Sequence, residues 1–282
     1  RESGRPLTFT LMQVDEWKDL WREVLERVAV LNRDGARLYP QVGVRPTAIV
    51  MSLGTYHSFM RRPSYLALRE LPLARRLEQL RRPEVKAAIL AESNVAHELP
   101  GKMENVVAFA RANYPQTFAL ADIDDCEPLA SRSFAALAAA AGQPEEAFLY
   151  DFLVGGQGRD FVVRFFTNYS EYNHDALHEM QMNDLTVSGL SDAGAHVSVI
   201  FDAVAPTFLL THWVRDRQRG PRLPLERVVH RQTQRNAQLF GLHDRGSLEV
   251  GKRADVNVID MARLSLGPLA LHRDLPAGGA RL

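Results

Sequence analysis

The chain has 282 residues, 46% of them apolar, so it can bury a sizeable core in one large domain or two smaller ones. Lysine plus arginine equals aspartate plus glutamate, at 34 each, which gives no global field favouring nucleic acid or an anionic membrane as partner. The single cysteine, Cys126, suits a reducing compartment, and no apolar run approaches the length of a membrane span. We therefore expect a cytoplasmic protein without nucleic-acid or membrane partners, whose oligomeric state the sequence does not decide.

The first elements predict a strand–helix–strand unit. Residues 7–11 are rich in β-forming types, apolar residues within 15–31 recur at helical spacing, and 36–44 reads as a second strand. A unit of this length is typical of a parallel crossover. Tyr39 and Arg45, towards the end of the second strand, are candidate functional residues. Backbone satisfaction for Tyr39 and a surface-loop position for Arg45 remain open as alternatives.

Proline and small residues punctuate the middle of the chain. Residues 61–90 predict arginine-rich helices broken at Pro63, Pro72 and Pro83, with solvated faces rather than a groove for an acidic ligand. Further along, Ser131 is expected to cap an alanine-rich helix that a glycine then stops.

Two histidines lie four residues apart in a helix predicted over 171–182. His174 and His178 would share a face of that helix, a spacing that can bind zinc. The zincin pattern needs a glutamate directly after the first histidine, and Asp175 stands there instead. We predict two exposed helix histidines without a metal.

A short apolar run over 185–190 predicts a buried strand that stops at a carboxylate. Asp192 follows it among small residues, and His196 lies four residues further on. In a barrel of parallel strands this end of a strand carries catalytic residues, and aspartate and histidine are ligands of hydrolytic zinc sites. The same residues are also good turn formers, so the residues alone leave turn and site open.

Helices and then a β pattern close the chain. A helix starting at Pro206 is expected to hold His212 half-buried beside Trp213, and a second helix over 225–240 is expected to be closed by a glycine. The inner face of that second helix is predicted to consist of Val228, Val229, Ala237 and Phe240. Alternation over 246–260 predicts strands. The order of elements favours an α/β fold, a (β/α) barrel followed by a small β domain, over a doubly wound sheet.

Three segments carry a family resemblance: GLSDAGAHV at 189–197, PTFLLTHWVRDR at 206–217 and GSLEVGKRADVNVID at 246–260. Together they resemble the amidohydrolase superfamily, and within it the N-acyl-D-amino-acid deacylase (D-aminoacylase-like) branch. The resemblance implies a partial (β/α)8 TIM-type barrel over 1–245, with a helical insertion around 57–115. It also implies that 246–282 is a β segment of a small β-sandwich domain.

The resemblance also implies a chemistry. It suggests a metal-dependent hydrolase that cleaves a non-peptide C–N amide bond, deacylating N-acyl-D-amino acids with a water activated by one or two zinc ions. Asp192 matches the family's metal-site aspartate that also shuttles a proton. His196, Arg45, Tyr39 and Arg215 are candidates for binding the substrate, and an arginine suits its free carboxylate.

The chain departs from the family pattern in what it lacks. The opening His-x-His pair is absent, and the histidines usual at two middle strand ends are missing from 10–13 and 39–41. With no initiator methionine, we expect a C-terminal piece that is inactive alone and has the N-terminal part of its own chain as a partner. A catalytically silent barrel scaffold is the alternative function, and a related deaminase or cyclic amidase is a third.

Overall fold

The first strands pair in parallel. The computed structural model describes residues 4–120, 126–189, 197–276 and 279–282. Within them, β1 (Leu7–Leu11) and β2 (Leu38–Val42) pair in parallel, and α1 (Leu20–Arg33) connects them. The predicted parallel crossover is therefore confirmed. Apolar residues three and four apart give α1 one buried face, formed by Trp21, Leu25 and Val28.

A second, antiparallel sheet follows in the sequence. It consists of β3 (Ala48–Met51), β4 (Thr117–Leu120) and β5 (Phe161–Phe165) in the order β3-β5-β4. The short strand predicted near 118–121 and the strand predicted over 161–166 are both confirmed. Among the described strands, none of these three pairs with a strand of the parallel sheet, so the two sheets are separate.

Helices accompany the antiparallel sheet, and prolines set where they begin. The predicted breaks are confirmed, because one helix starts directly after Pro72 and two others have proline in their first turn. The helices are α2 (Pro63–Leu66), α3 (Leu73–Leu80), α4 (Pro83–Ala91), α5 (Met103–Phe109), α6 (Phe134–Ala141) and α7 (Glu145–Gly155).

The cap of α6 differs from the prediction. Ser133 is the N-cap, and its Oγ accepts the backbone N–H of Ala136 at 3.2 Å. Ser131 lies in the preceding 3-10 turn, Ala130–Arg132, so the prediction that it caps the helix is wrong. Gly142 does stop the helix, in the left-handed conformation with φ 66°.

The parallel sheet gains its third strand after α8 (Asp175–Met182). β6 (Val187–Ser188) pairs in parallel with β2, which gives the order β1-β2-β6. Gly189 then passes so close to Gln41 that a Cβ there would lie 2.9 Å from Oε1 of Gln41. The described strands do not form a closed barrel.

The last helices pack differently from the prediction. α9 (Ala205–Phe208) continues as a π-helix to Asp216, and the single helix expected over 225–240 is two helices that meet at Thr233. Val229 is 45% and Phe240 67% exposed, so their predicted place on an inner face is wrong. Val228 and Ala237 are buried as predicted. The two helices are α10 (Leu225–Gln232) and α11 (Gln234–Leu239).

The segment 246–260 forms no strand among the described residues, so the prediction from its alternation is wrong. A strand needs a neighbour to bond its backbone, and local pattern supplies none. Strands occur further on, as the hairpin of β7 (His272–Leu275) and β8 (Gly279–Arg281). None of the helices in the described ranges has the length and hydropathy needed to cross a bilayer.

Contacts divide the chain into two units. The first consists of the described residues of 1–47, 166–193 and 202–267, and the second of those of 48–165, 194–201 and 268–282. The first holds the parallel sheet and α8 to α11. The second holds the antiparallel sheet and a core that includes Phe59, Phe134 and Tyr150. The predicted domain boundary at 245 stays a prediction.

Candidate active site

The carboxyl ends of the three parallel strands meet at one edge of the first unit. Gln13 comes two residues after β1, Gly43 directly after β2, and Gly189 directly after β6, where its N–H donates to the carbonyl of Val42 at 3.0 Å. Functional groups of parallel α/β folds gather at this edge. Asp192 and His196 follow Gly189 in sequence but lie outside the described residues. Their roles therefore stay predictions.

Both the backbone and the side chain of Gln13, just after β1, form hydrogen bonds. Its backbone N–H donates to Oδ1 of Asn168 at 2.7 Å, and the backbone N–H of Asn168 donates back to its carbonyl at 2.9 Å. The side-chain Oε1 of Gln13 accepts the N–H of Ser170 at 3.3 Å. Asn168 has φ 63°, a left-handed conformation that asparagine tolerates. The Gln13 amide is thus occupied in fixing a loop.

Arg45 is buried beside the end of β2. Its guanidinium forms an ion pair with Asp202, and the preceding carbonyl, that of Val44, accepts Nε1 of Trp213 at 2.7 Å. The alternative that Arg45 is a surface-loop residue is therefore wrong. A buried guanidinium at a strand end is suited to binding a carboxylate. Arg45 would then bind this carboxylate and that of Asp202 at the same time.

Tyr39 and Arg215 have other partners in the structure. Tyr39 pairs with Thr8 within the sheet, and the guanidinium of Arg235 lies 5.2 Å from its ring centroid. Arg215 donates to the carboxylate of Asp216 and, at 2.9 Å, to the carbonyl of Leu264. Their predicted substrate contacts stay predictions, and both side chains have structural partners.

A pair of buried histidines is the main feature that sequence reasoning missed. Nδ1 of His174 lies 3.2 Å from Nε2 of His212, with side chains 0% and 9% exposed. The ring of Phe208 stacks on His212 at 4.7 Å, and Trp213 contacts both imidazoles. The prediction that His174 is an exposed helix residue is wrong, because α8 begins one residue later. The only sequence signal was His212 beside Trp213 in an apolar helix.

The surroundings of this pair keep both imidazoles neutral at neutral pH. Burial lowers the pKa of His174 well below its ordinary value, and His212, Arg217, Arg219 and Arg45 lower it further. Burial lowers the pKa of His212 to about 4, and Arg217 acts in the same direction. Neutral imidazoles can act as bases or as metal ligands, whereas the nearby guanidinium groups favour anions.

The strand β6 is fixed by side chains as well as by β2. Nε of Arg231 donates to Oγ of Ser188 at 3.1 Å, and Nη1 donates to the carbonyl of Thr186 at 3.1 Å. Ser188 in turn donates to Oε1 of Gln181, whose Nε2 donates to the carbonyl of Gly43. Burial lowers the pKa of Arg231 to about 9. A polar network thus ties β6 to the end of β2.

Comparison with known proteins was made for sequence and for structure. Uncharacterized proteins of Mycobacterium tuberculosis and Mycobacterium bovis are 36% identical over 148 residues, which are 52% of this chain and 24% of theirs. The match thus spans about a quarter of the length of these relatives.

Two solved structures are similar at low TM-score. One is N-acyl-D-glutamate deacylase of Bordetella bronchiseptica with zinc and a phosphonate inhibitor, at 0.42 and 15% identity, covering 90% of this chain and 40% of that one. The other is a D-aminoacylase mutant in complex with CuCl2, at 0.34 and 17% identity, covering 88% and 45%. The model of the Amidohydrolase family matches residues 5–278. Since that match takes in nearly the whole chain, the protein belongs to the amidohydrolase family.

Proposed function

We propose that the whole protein is a metal-dependent hydrolase that cleaves a non-peptide C–N amide bond in N-acyl-D-amino acids. The observation that supports this most directly is the family match over residues 5–278. In this proposal Asp192 is the metal ligand and proton shuttle. Gly189, the last described residue before it, is bonded to the end of β2, where Arg45 also lies.

The finer fold belongs to the same proposal. We take β1, α1, β2 and β6 as part of a (β/α)8 barrel over 1–245, because their pairing is parallel and their crossover has the length of a barrel unit. Residues 246–282 would be the β segment of a small sandwich domain. The antiparallel sheet would then be an insertion between β2 and β6.

The described donors fit a zinc ion in part. The two imidazole nitrogens of His174 and His212 are neutral and 3.2 Å apart, close to the roughly 3.3 Å between two nitrogen ligands of tetrahedral zinc. Gln13 offers no ligand, since its amide is already bonded. The nearby guanidinium groups oppose a cation unless a carboxylate offsets them. Asp192 is the carboxylate we propose, and the nitrogens of His174 and His212 would exchange their mutual hydrogen bond for the metal.

Each residue then has a task of its own. A bound zinc ion lowers the pKa of a water and polarises the scissile carbonyl. Asp192 takes a proton from the attacking water on a carboxylate oxygen and passes it to the leaving amine. Arg45 binds the free carboxylate of the substrate through its guanidinium, with Asp202 keeping that group in place. His196, Tyr39 and Arg215 stay candidates for contacts with the rest of the substrate.

The test uses the full-length protein, its zinc content and a panel of N-acyl-D- and N-acyl-L-amino acids. We expect bound zinc and hydrolysis of the D forms, with Asp192→Ala losing both. Asp184→Asn is the matched control, because that carboxylate is 91% exposed and pairs with Arg227 at 2.9 Å. Its zinc content and activity should stay unchanged. Zinc and activity that survive Asp192→Ala would refute the proposed role.

A catalytically silent scaffold is the second candidate. It is favoured by the residue at the end of β1, where the deacylase branch usually has a histidine and this chain has the fully bonded Gln13. A metal-free, inactive full-length protein would support the scaffold. Adding cyclic amides and deaminase substrates to the panel tests the third option, which hydrolysis or deamination of these compounds would support.

We also propose the N-terminal part of the longer protein as a partner. An apolar groove of about 790 Å³ lies in the first unit between α10, α11 and residues 245–261. Leu248, Val256 and Phe240 line it and are largely exposed. An exposed apolar surface of this kind marks a contact site. Coexpression of the N-terminal part should protect 246–260 from hydrogen exchange, and an unchanged exchange rate would count against this partner.

A further inference from the structure

Arg164 places a cation inside the core of the second unit. It lies on the central strand β5, opposite Ile49 of β3 and Thr117 of β4, and it is 1% exposed. Directly opposed residues of neighbouring strands share a face of the sheet. Ile49 and Val162 belong to the hydrophobic core cluster on that face. The guanidinium is therefore surrounded mainly by apolar side chains.

The contacts of this guanidinium are all with neutral groups. Nε donates to Oγ1 of Thr117 at 3.2 Å, Nη2 donates to Oγ of Ser58 at a long 3.5 Å, and Cζ lies 5.9 Å from the ring centroid of Tyr114. In the part of the chain that the structure describes, no carboxylate lies within ion-pair distance of Arg164. A guanidinium has five N–H donors, and these two hydrogen bonds use two of them.

Other buried arginines of the same unit do have carboxylate partners. Arg61 pairs with Glu104 at 3.0 Å, and Arg62 pairs with Glu146. The described residues opposite Arg164 in the two neighbouring strands are Ile49 and Thr117, and neither is acidic. Burial of a charge is unfavourable without an opposite charge, and two neutral hydroxyls and one ring do not replace it. Burial lowers the pKa of Arg164 in keeping with this.

We propose that Arg164 and Ser58 form an internal binding site for a small monovalent anion, chloride or bromide. The hydroxyl of Ser58 now faces the sulfur of Met51 at 3.7 Å, a weak contact, and can turn to donate to an anion. The hydroxyl of Thr117 already donates to the carbonyl of Asn113 at 2.6 Å and stays a neighbour only. A monatomic ion is the proposed occupant because it needs the least space in a close-packed core.

Thermal unfolding in sodium chloride and sodium gluconate at equal ionic strength tests the site, because gluconate is too large for it. An ion that binds only the folded state raises the melting temperature by about 2 °C for each tenfold increase beyond its Kd. We expect this rise in the wild-type protein and none in Arg164→Met. Arg61→Met is the matched control, a buried arginine with its own carboxylate, and it should keep the chloride response.

Equal melting temperatures of the wild type in both salts would overturn the proposal, as would a chloride response retained by Arg164→Met. If Arg164→Met does not fold, Ser58→Ala provides the second variant, and its chloride response should be weaker. Crystals grown in bromide give a further measurement. An anomalous peak beside the guanidinium of Arg164 is expected, and its absence would refute the site.

Discussion

Trp213 is the side chain whose replacement tests the framework of the candidate active site most directly. It is 0% exposed, and its Nε1 donates to the carbonyl of Val44 at 2.7 Å, next to Arg45. Phenylalanine in its place would keep an aromatic ring against His174 and His212 but has no N–H. Val44 itself is buried, so its carbonyl would lose a donor where water has little access.

The expected loss of stability has two parts. A buried carbonyl left without its donor costs about 1–3 kcal/mol. The smaller ring leaves space in the core, which costs roughly 1 kcal/mol more. Trp213→Phe should therefore lower the free energy of unfolding by about 2–4 kcal/mol, or the melting temperature by roughly 3–7 °C for a protein of this size.

Urea unfolding followed by far-ultraviolet circular dichroism measures this difference. Trp17→Phe is the matched control, because Trp17 is 67% exposed and its loss should change stability by no more than about 0.5 kcal/mol. If the two variants had the same unfolding midpoint, the bond from Trp213 to Val44 would contribute nothing. Trp213 would then not hold the carbonyl of Val44, which precedes Arg45, in place.

Three further changes have defined outcomes. The pKa of His212 is lowered to about 4 by burial. The stability that its neutral form contributes is therefore complete above about pH 6.5 and is lost as the pH falls towards 4. The urea midpoint of His212→Phe should decline less over this pH range than that of the wild type. Ser133→Ala should lower the unfolding free energy by about 1 kcal/mol through loss of the α6 cap, whereas Ser131→Ala should leave the urea midpoint unchanged. Arg231→Met removes a donor from the buried carbonyl of Thr186, so the same titration should show a loss of about 1–3 kcal/mol that Arg231→Lys restores only in part.

The first third of the chain shows what sequence can predict. The period of the apolar residues predicts β1, α1 and β2, and the prolines predict where α2, α3 and α4 begin. These signals are local, because helix and strand periods and the missing N–H of proline act within a few residues. The parallel pairing then follows from the length of the connection.

The histidine pair shows what local pattern misses. The spacing of His174 and His178 suggests a shared helix face, but Oδ1 of Asn173 accepts the N–H of Asp175 and the helix starts only there. His174 then turns inward to meet His212, which lies 38 positions later in the chain. A contact over such a separation depends on how α8 and the π-helix pack, and no short motif encodes that.

The strand prediction for 246–260 is wrong for the opposite reason. Apolar and polar residues alternate there as in a strand, but the structure has no strand in this segment. Alternation sets which side chains share a face, but a strand also needs backbone partners, and the described chain provides none for this segment. Exposure of Val250, Val256 and Val258 is the consequence. The pattern therefore carries information about a neighbour rather than about the segment alone.

The strand β6 also needs hydrogen-bonding partners, and a side chain provides some of them. It has one strand neighbour among the described residues, β2, and Arg231 donates to the carbonyl of Thr186 just before the strand and to Oγ of Ser188 within it. Only two residue pairs fix its register, so the buried side chains of Gln181 and Arg231 hold the strand that leads to Asp192. Changes at these positions should therefore disturb stability and activity together. Loss of activity at unchanged stability is expected only from groups that meet the substrate or metal, and this separates the chemistry of Asp192 from the framework that carries it.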